Sequence, residues 1–380
     1  MSLVIVPVST ARDLATFIDL PRRLYAGDKR FIPPLTMDRQ QYLDPKKSAF
    51  FSHGEAQYWL ALRNGVPVGR VSAQIDRAAT SADFAGVGMF GCLDTIDDAA
   101  VVGELVRVAE AWLRAKGMKQ VRGPCMLSMN GEAGLLVDGH GEGPMLMVPW
   151  HPEYLGPLIE GCGYRRVRDL YYFRINITNE ALDPITAKLH LSSWRWDFRV
   201  RRLNRFNPAR EIDILREVYN DAWQNNWGFI PLQEADLAAF KSQLRPFMKP
   251  DYGTIIEKNG EALGIALVMP NLAEMSADLG VNPSPLGWLK LLWRGKMKRF
   301  STARVILLGV KARCSKTVEG VAVAMTLVDE LVQLARRYKL TSVEAGWVLE
   351  NNRPLIAILE RFKAQRVRTL RIFEKQLDAD

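Results

Sequence analysis

Three basic residues, Lys311, Arg313 and Lys316, crowd the stretch that leads into Thr317-Val318-Glu319-Gly320-Val321-Ala322, where a strand pattern gives way to a long helical one. A helix start offers unpaired N–H donors and the positive end of its dipole, and a glycine there lets an anion come close. Glu319 opposes that charge, and a solvated basic turn before a core helix explains the same letters. Two carboxylates, Glu344 and Glu350, fall on and just after the next strand pattern, where either would serve as a general base. A solvent-facing Glu344 and a helix-capping Glu350 are the plainer alternatives. Upstream, Trp223, Asn225, Asn226 and Trp227 combine aromatic walls with amides, a lining suited to a small polar substrate. Trp223 also fits a core position, and Asn225 to Gly228 also fits a simple turn. In the first half, a Gly-rich loop from Asn130 to Gly143 adds Asn130, Glu132 and Asp138 as polar contributors, or its glycines only make turns.

Charge and composition narrow the chemistry. The 380 residues carry 51 Lys plus Arg against 42 Asp plus Glu, a net +9. That surplus favours anionic partners such as phosphorylated cofactors, nucleic acid or lipid headgroups without choosing among them. Leu286 to Phe300 interleaves Leu286, Trp288, Leu289, Leu292 and Trp293 with Lys290, Arg294, Lys296, Lys298 and Arg299 and contains no acid. Such a helix suits an anionic membrane surface, or equally a packed aromatic face with its lysines in water. Trp194 to Arg210 gathers Arg195, Arg199, Arg201, Arg202, Arg205 and Arg210, which would stack RNA bases or lie solvated on a basic strand. Cys92, Cys125, Cys162 and Cys314 show no C-x-x-C spacing, and His53, His140, His151 and His190 show no helical i, i+4 spacing. No metal is therefore expected, and a reducing cytoplasm fits. No apolar run reaches the roughly 18 residues that cross a bilayer.

These residues need a scaffold, and the hydrophobic pattern supplies one twice. The first half reads as a strand from Leu3, a helix to about Leu24, a hairpin turning at Asn64-Gly65 and a strand from Gly88 to Leu93. A long helix from Asp98 to Lys116, a strand at Lys119 to Gly123, a helix from Pro152 and a strand ending at Ile175 follow. The second half repeats that order: helices over Ile212 to Trp223 and Gln233 to Phe247, a hairpin at Asn259-Gly260, and a strand at Val305 to Val310. Its long helix spans Glu319 to Tyr338, before a strand at Ser342 to Leu349, a helix at Pro354 to Phe362 and a closing strand to Glu374. The expected domains are 1–183 and 184–380.

That order, together with Met-Asn-Gly-Glu-Ala-Gly-Leu-Leu-Val-Asp-Gly at Met129 to Gly139 and Trp-Val-Leu-Glu-Asn-Asn-Arg-Pro at Trp347 to Pro354, resembles two tandem copies of the acyl-CoA N-acyltransferase (GNAT) fold. The resemblance implies an α/β architecture of twisted mixed sheets flanked by helices. It implies transfer of an acyl group from acetyl-CoA or a longer acyl-CoA to a small-molecule amine by direct attack, without a metal. In such proteins a Q/R-x-x-G-x-G/A loop holds the cofactor pyrophosphate. Here Gly320 and Ala322 match, Thr317 stands where Gln or Arg is expected, and Lys311, Arg313, Lys316 and Val321 surround them. The pantetheine arm is then expected beside Leu308, Gly309 and Val310, with Glu344 or Glu350 as base. Asn352 fits the family's Asn after the fifth strand, but Leu359 occupies the position of the usual Tyr acid. The acceptor pocket would form around Trp223 to Trp227, with the Asn130 loop reaching the same cleft. The first copy's turn carries Asp94, Asp97 and Asp98 where phosphates would dock, so a degenerate copy without CoA is expected. Tandem GNAT folds also resemble peptidoglycan-bridge transferases that use aminoacyl-tRNA, and a non-catalytic ligand-binding protein is a third reading.

Overall fold

The structure is a computed structural model, and it describes residues 2–178, 180–187, 196–244, 249–297 and 300–377. His190, Trp194, Arg195, Lys298 and Arg299 lie outside the described residues. In chain order the principal elements are β1 (Leu3–Pro7), α1 (Ala11–Leu24), α2 (Thr36–Leu43), β2 (Gly54–Arg63), β3 (Val66–Asp76), β4 (Val87–Thr95), α3 (Ala99–Ala115), β5 (Gln120–Gly123), β6 (Leu135–Asp138), α4 (Leu155–Gly161) and β7 (Arg165–Asn176). They continue with β8 (Arg199–Arg202), α5 (Pro208–Trp223), α6 (Glu234–Leu244), β9 (Gly253–Lys258), β10 (Glu261–Pro270), α7 (Leu272–Ser276) and α8 (Pro285–Lys296). β11 (Thr302–Val310), α9 (Ala312–Ser315), α10 (Val318–Arg337), β12 (Ser342–Leu349), α11 (Arg353–Arg361) and β13 (Gln365–Gln376) complete the chain.

Local chemistry explains most of these boundaries. Both expected hairpins form, and Asn64, Gly65, Asn259 and Gly260 all take positive φ, as the turn that matches strand twist demands. α1 begins at a capping box in which Thr10 and Asp13 each accept the other's backbone N–H, satisfying two otherwise orphaned donors. The basic strand expected within Trp194 to Arg210 comes down to the four residues of β8, and the predicted basic helix at Leu286 to Phe300 ends at Lys296.

Two compact units emerge: residues 1–170, 276–284 and 368–380 form unit 1, and residues 171–275 and 285–367 form unit 2. They cut the chain differently from a 1–183 and 184–380 division. In unit 1 the strand order is β1-β2-β3-β4-β5-β13, with β6 also on β13; unit 2 is ordered β7-β12-β11-β10-β9-β8. Each sheet is thus closed by a strand from the other half of the chain. Residues 368–376 of β13 serve unit 1, where Phe373 pairs with Gly123. Residues 171–176 of β7 serve unit 2 beside β12.

The two sheets share one plan. β4 and β5 are parallel, as are β11 and β12, and the long helices α3 and α10 make the crossovers that parallel neighbours require. Each long helix lies over a glycine, Gly69 in β3 and Gly264 in β10. A Cβ on Gly69 would press into Leu105 and Val101, and one on Gly264 into Val323 and Leu327. Gly69 registers with the last residue of β4, Thr95, and Gly264 with the last of β11, Val310.

Candidate active site

In unit 2 the ladder between β11 and β12 covers only Thr302–Val305 and Ser342–Ala345. β11 then runs on to Val310 and β12 to Leu349, so the two strands continue beyond their shared register. Leu308, Gly309 and Val310 lie on this stretch. A small apolar cavity lies where the ladder ends, lined among others by Val305, Leu308, Val328, Leu331, Val343 and Leu359. Every lining residue is apolar. The Trp223 ring packs onto Gly309 so closely that any Cβ there would collide with it, and Tyr219 tilts against Trp223 at 4.9 Å. Asn225 to Gly228 forms a turn in which Asn226 N–H donates to the Trp223 carbonyl at 2.8 Å. Asn225 is exposed, while Asn226 and Trp227 are half-buried. Asn130 belongs to unit 1, where its N–H donates to Ser128 Oγ.

The loop before α10 is less open than its letters suggest. Lys311 is buried, and its amine binds Glu217 at 2.5 Å and Glu261 at 3.0 Å. Burial pulls the amine's pKa down, but these two carboxylates more than offset it and hold it above its ordinary value. Arg313 pairs with Glu261 at 2.7 Å, and Lys258 with Glu319 at 2.6 Å. Asp221 accepts the Ala312 N–H at 2.6 Å. Thr317 caps α10: its Oγ1 accepts the Gly320 N–H and donates to the Cys314 carbonyl. Gly320 is glycine for the chain's own sake, because a Cβ would strike that Cys314 carbonyl. Among the described residues, the first-turn N–H groups of Val318 and Glu319 carry no hydrogen bond. With Lys316, Val321 and Ala322 around them, they leave a partial anion seat at an exposed helix start.

Glu344 is 1% exposed and held by Arg174 at 2.6 Å, so it does not face solvent as the plainer reading had it. Glu350 sits half-buried at the turn that ends β12. Asn352 caps α11, accepting the Leu355 N–H at 3.3 Å. Leu359 is buried in the wall of the apolar cavity. Arg174, Glu217, Asp221 and Glu261 were not singled out by sequence reasoning. Glu217 and Asp221 are spaced i, i+4 on α5, which is the one local hint that both face the loop.

Unit 1 builds the equivalent place differently. Asp94 is not in the turn but near the end of β4, buried and bonded to Arg70 Nε at 2.8 Å; Arg70 also donates to the Phe17 carbonyl at 2.6 Å. Asp98 caps α3 through the Ala100 and Val101 N–H groups and pairs with Arg63 at 2.7 Å. The segment after β5 folds back along β4: Cys125 N–H donates to the Phe90 carbonyl at 2.8 Å, and Gln74 donates to the Cys125 carbonyl at 2.6 Å. Glu132, from the Gly-rich loop, pairs with Arg39 at 2.6 Å. No group of three or more potential metal ligands occurs among the described residues, and no described helix is long and apolar enough to cross a membrane.

No family model matches the chain. It is 36% identical over 376 residues, 99% of this chain and 98% of that protein, to the "Bacterial ceramide synthase" of Caulobacter vibrioides. It is also 36% identical over 365 residues, 96% of this chain and 93% of that protein, to the protein YghO of Escherichia coli. Among solved structures, a tandem GNAT protein from the clavulanic acid biosynthesis pathway, solved without AcCoA, superposes with a TM-score of 0.59 at 13% identity over all of both chains. That likeness shows the fold: two tandem mixed sheets flanked by helices.

Proposed function

The chain belongs to the GNAT-fold family that contains the Caulobacter ceramide synthase and YghO, and from that premise we propose that it transfers a long acyl chain from coenzyme A to the amine of a long-chain amino alcohol. The relative's name points to this product class, since a ceramide is such an amine in amide linkage to a fatty acid. The observation that carries the reading is the wholly apolar cavity of unit 2, bounded by Leu308 on β11 and Leu359 on α11. A flexible hydrocarbon gains about 0.8 kcal/mol for each CH₂ removed from water, so a lining of this character favours a longer chain over acetyl. Leu359, at the usual position of an acid, extends the same lining.

The reaction needs little of the protein beyond placement and proton traffic. The amine nitrogen attacks the thioester carbonyl, the new C–N bond forms, the C–S bond breaks, and the amine proton leaves so that CoA departs as the thiol. Glu344, held by Arg174, and Glu350 are the two carboxylates of unit 2 offered for that proton. Lys316 and the Val318 and Glu319 N–H groups would hold phosphate, while Lys311 and Arg313 keep α5, β10 and the loop together through Glu217 and Glu261.

The test is thiol release and mass spectrometry of the amide with acyl-CoA donors of two to eighteen carbons and a long-chain 2-amino-1,3-diol as acceptor. Long donors should exceed acetyl-CoA by at least about tenfold, the discrimination worth about 1.4 kcal/mol. Leu359→Phe should move the optimum to shorter chains. An amide product with no chain-length preference, or none with any donor, sinks the reading.

A further inference from the structure

Unit 1 contains a buried polar cluster that the acyl-transfer reading does not use. Its centre is the Arg70–Asp94 pair. The Tyr25 hydroxyl lies buried beside Asp94 without a hydrogen bond of full geometry. His151 is buried as well, and its Nδ1 accepts the Leu136 N–H at 3.2 Å. A backbone N–H only donates, so the ring proton of neutral His151 sits on Nε2, which makes no hydrogen bond of its own among the described residues. Burial lowers this histidine to about 4, keeping it neutral and a donor near pH 7. Asp94, Arg70 and Glu132 are its charged neighbours. Tyr25, Phe31 and Trp150 form a wall with ring centres 5.2 to 5.5 Å apart, and the Trp150 Nε1–H is buried without an acceptor.

The cluster therefore offers one carboxylate with Arg70 on Oδ2, a neutral imidazole donor, a phenol beside that carboxylate and an aromatic wall. We infer that unit 1 binds the head of the acceptor, a 2-amino-1,3-diol. The amine arrives as the ammonium, which donates to Asp94 and lies against the aromatic wall, and a hydroxyl accepts from His151 Nε2–H; the amine must leave Asp94 and lose its proton before it attacks. A buried donor set aimed at a hydroxyl discriminates strongly against an analogue that lacks it. This assignment rests on the amine-acylation reading.

Binding of a long-chain 2-amino-1,3-diol to the full chain without acyl-CoA, followed by tryptophan fluorescence, tests it. Saturable binding is expected, weaker by tenfold or more for the 1-deoxy analogue. His151→Phe should erase that difference. Asp94→Asn should weaken amine binding at least tenfold while leaving acyl-CoA binding unchanged. Because that change also breaks an ion pair, Tyr25→Phe, which removes only the hydroxyl beside Asp94, is the second variant and should raise the amine KM about fivefold. If the wild-type protein acylates the amine but all three variants keep its KM, the cluster's assignment fails and the reaction stands; if no amine is acylated, the reaction reading itself fails.

A separate observation concerns α8. Leu286, Leu289, Trp293 and Met297 are 77, 62, 49 and 55% exposed, and at 100° per residue they form one stripe. Lys290 and Lys296 flank the stripe on either side, while Leu291 on the opposite face is buried. An apolar stripe edged by cations with no acid on the helix matches a bilayer of anionic lipid, the phase in which a long-chain amine and its amide reside. The geometry points to α8 as a membrane-docking helix. Co-sedimentation with phosphatidylglycerol vesicles should exceed that with phosphatidylcholine vesicles at least tenfold and fall with salt. Leu289→Glu with Trp293→Glu should abolish it with the far-UV spectrum unchanged. Equal pelleting by both vesicle types, wild-type pelleting of the double variant, or loss of self-association in place of lipid binding would each overturn it.

Discussion

Strands β4 and β11 occupy the same place in two copies of one plan, and they differ most at their second-to-last residue. In β4 that residue is Asp94, registered across β3 with Arg70; in β11 it is Gly309, registered across β10 with Ile265. Unit 1 fills the position with a buried ion pair, unit 2 with the indole of Trp223 lying on a glycine. The neighbouring splay follows suit. In unit 1 the chain after β5 folds back to bond Phe90, whereas in unit 2 an apolar cavity lies between β11 and β12. The two copies share one backbone plan, and side chains at matched register positions give one a buried ion pair and the other an indole packed on glycine. The acidic letters of the first copy look like a damaged phosphate loop only if Asp94 is assumed to lie in the turn. Its burial beside Arg70 gives it a different role.

The largest expected effect tests the ion pair. Asp94→Ala should cost about 3 to 5 kcal/mol, because it strands the Arg70 charge in the interior. Replacing both partners, Arg70→Met with Asp94→Leu, imitates the apolar solution of unit 2 and should recover most of that loss in a urea melt. If the double variant is as unstable as the single, the pair is doing more than filling the position. Next comes acid sensitivity, since all three histidines among the described residues lie in unit 1. His151 falls from 6.5 to about 4, so below pH 6.5 the unfolded chain takes up a proton that the fold refuses. Stability contributed by the neutral ring is whole above pH 6.5 and is lost as pH falls toward 4, by about 3 kcal/mol. His151→Gln should flatten that slope; an unchanged slope would place the sensitivity elsewhere. A smaller effect tests the indole. Gly309→Ala should cost about 1 to 3 kcal/mol by overpacking against Trp223, and Trp223→Leu in the same chain should relieve it.

Both hairpins were legible because Asn-Gly is almost a unique solution to two successive positive φ values. The long helices were legible from their apolar spacing. The exchange of closing strands was not: β7 and β13 carry the same kind of alternation, and local periodicity says nothing about which sheet a strand will join. At the candidate site the chemistry-bearing letters were visible but their partners were not. Lys311 reads as a free cation until Glu217 and Glu261, 94 and 50 residues away, close on it. Gly320 reads as a phosphate contact until the Cys314 carbonyl appears against it. His151 reads as an isolated histidine, and only the Leu136 N–H reveals which nitrogen carries its proton.

The smallest effect separates the two copies at their helix starts. α3 is capped by a charged residue, Asp98, and α10 by a neutral one, Thr317. Alanine at either position should cost about 1 kcal/mol at pH 7, so stability at one pH does not tell them apart. Their pH dependence does. The bond to Arg63 and those from the helix N–H groups hold the Asp98 carboxyl below its usual pKa. Its contribution is therefore complete above the unfolded value near 3.9 and drains away as pH falls through the lower folded one. Thr317 has nothing to titrate. Measured by denaturant melts at pH 7 and again near pH 3, the cost of Asp98→Ala should shrink while that of Thr317→Ala holds. If both shrink together, the acid response belongs to the fold as a whole and the charged cap is no more than a substitute for the hydroxyl.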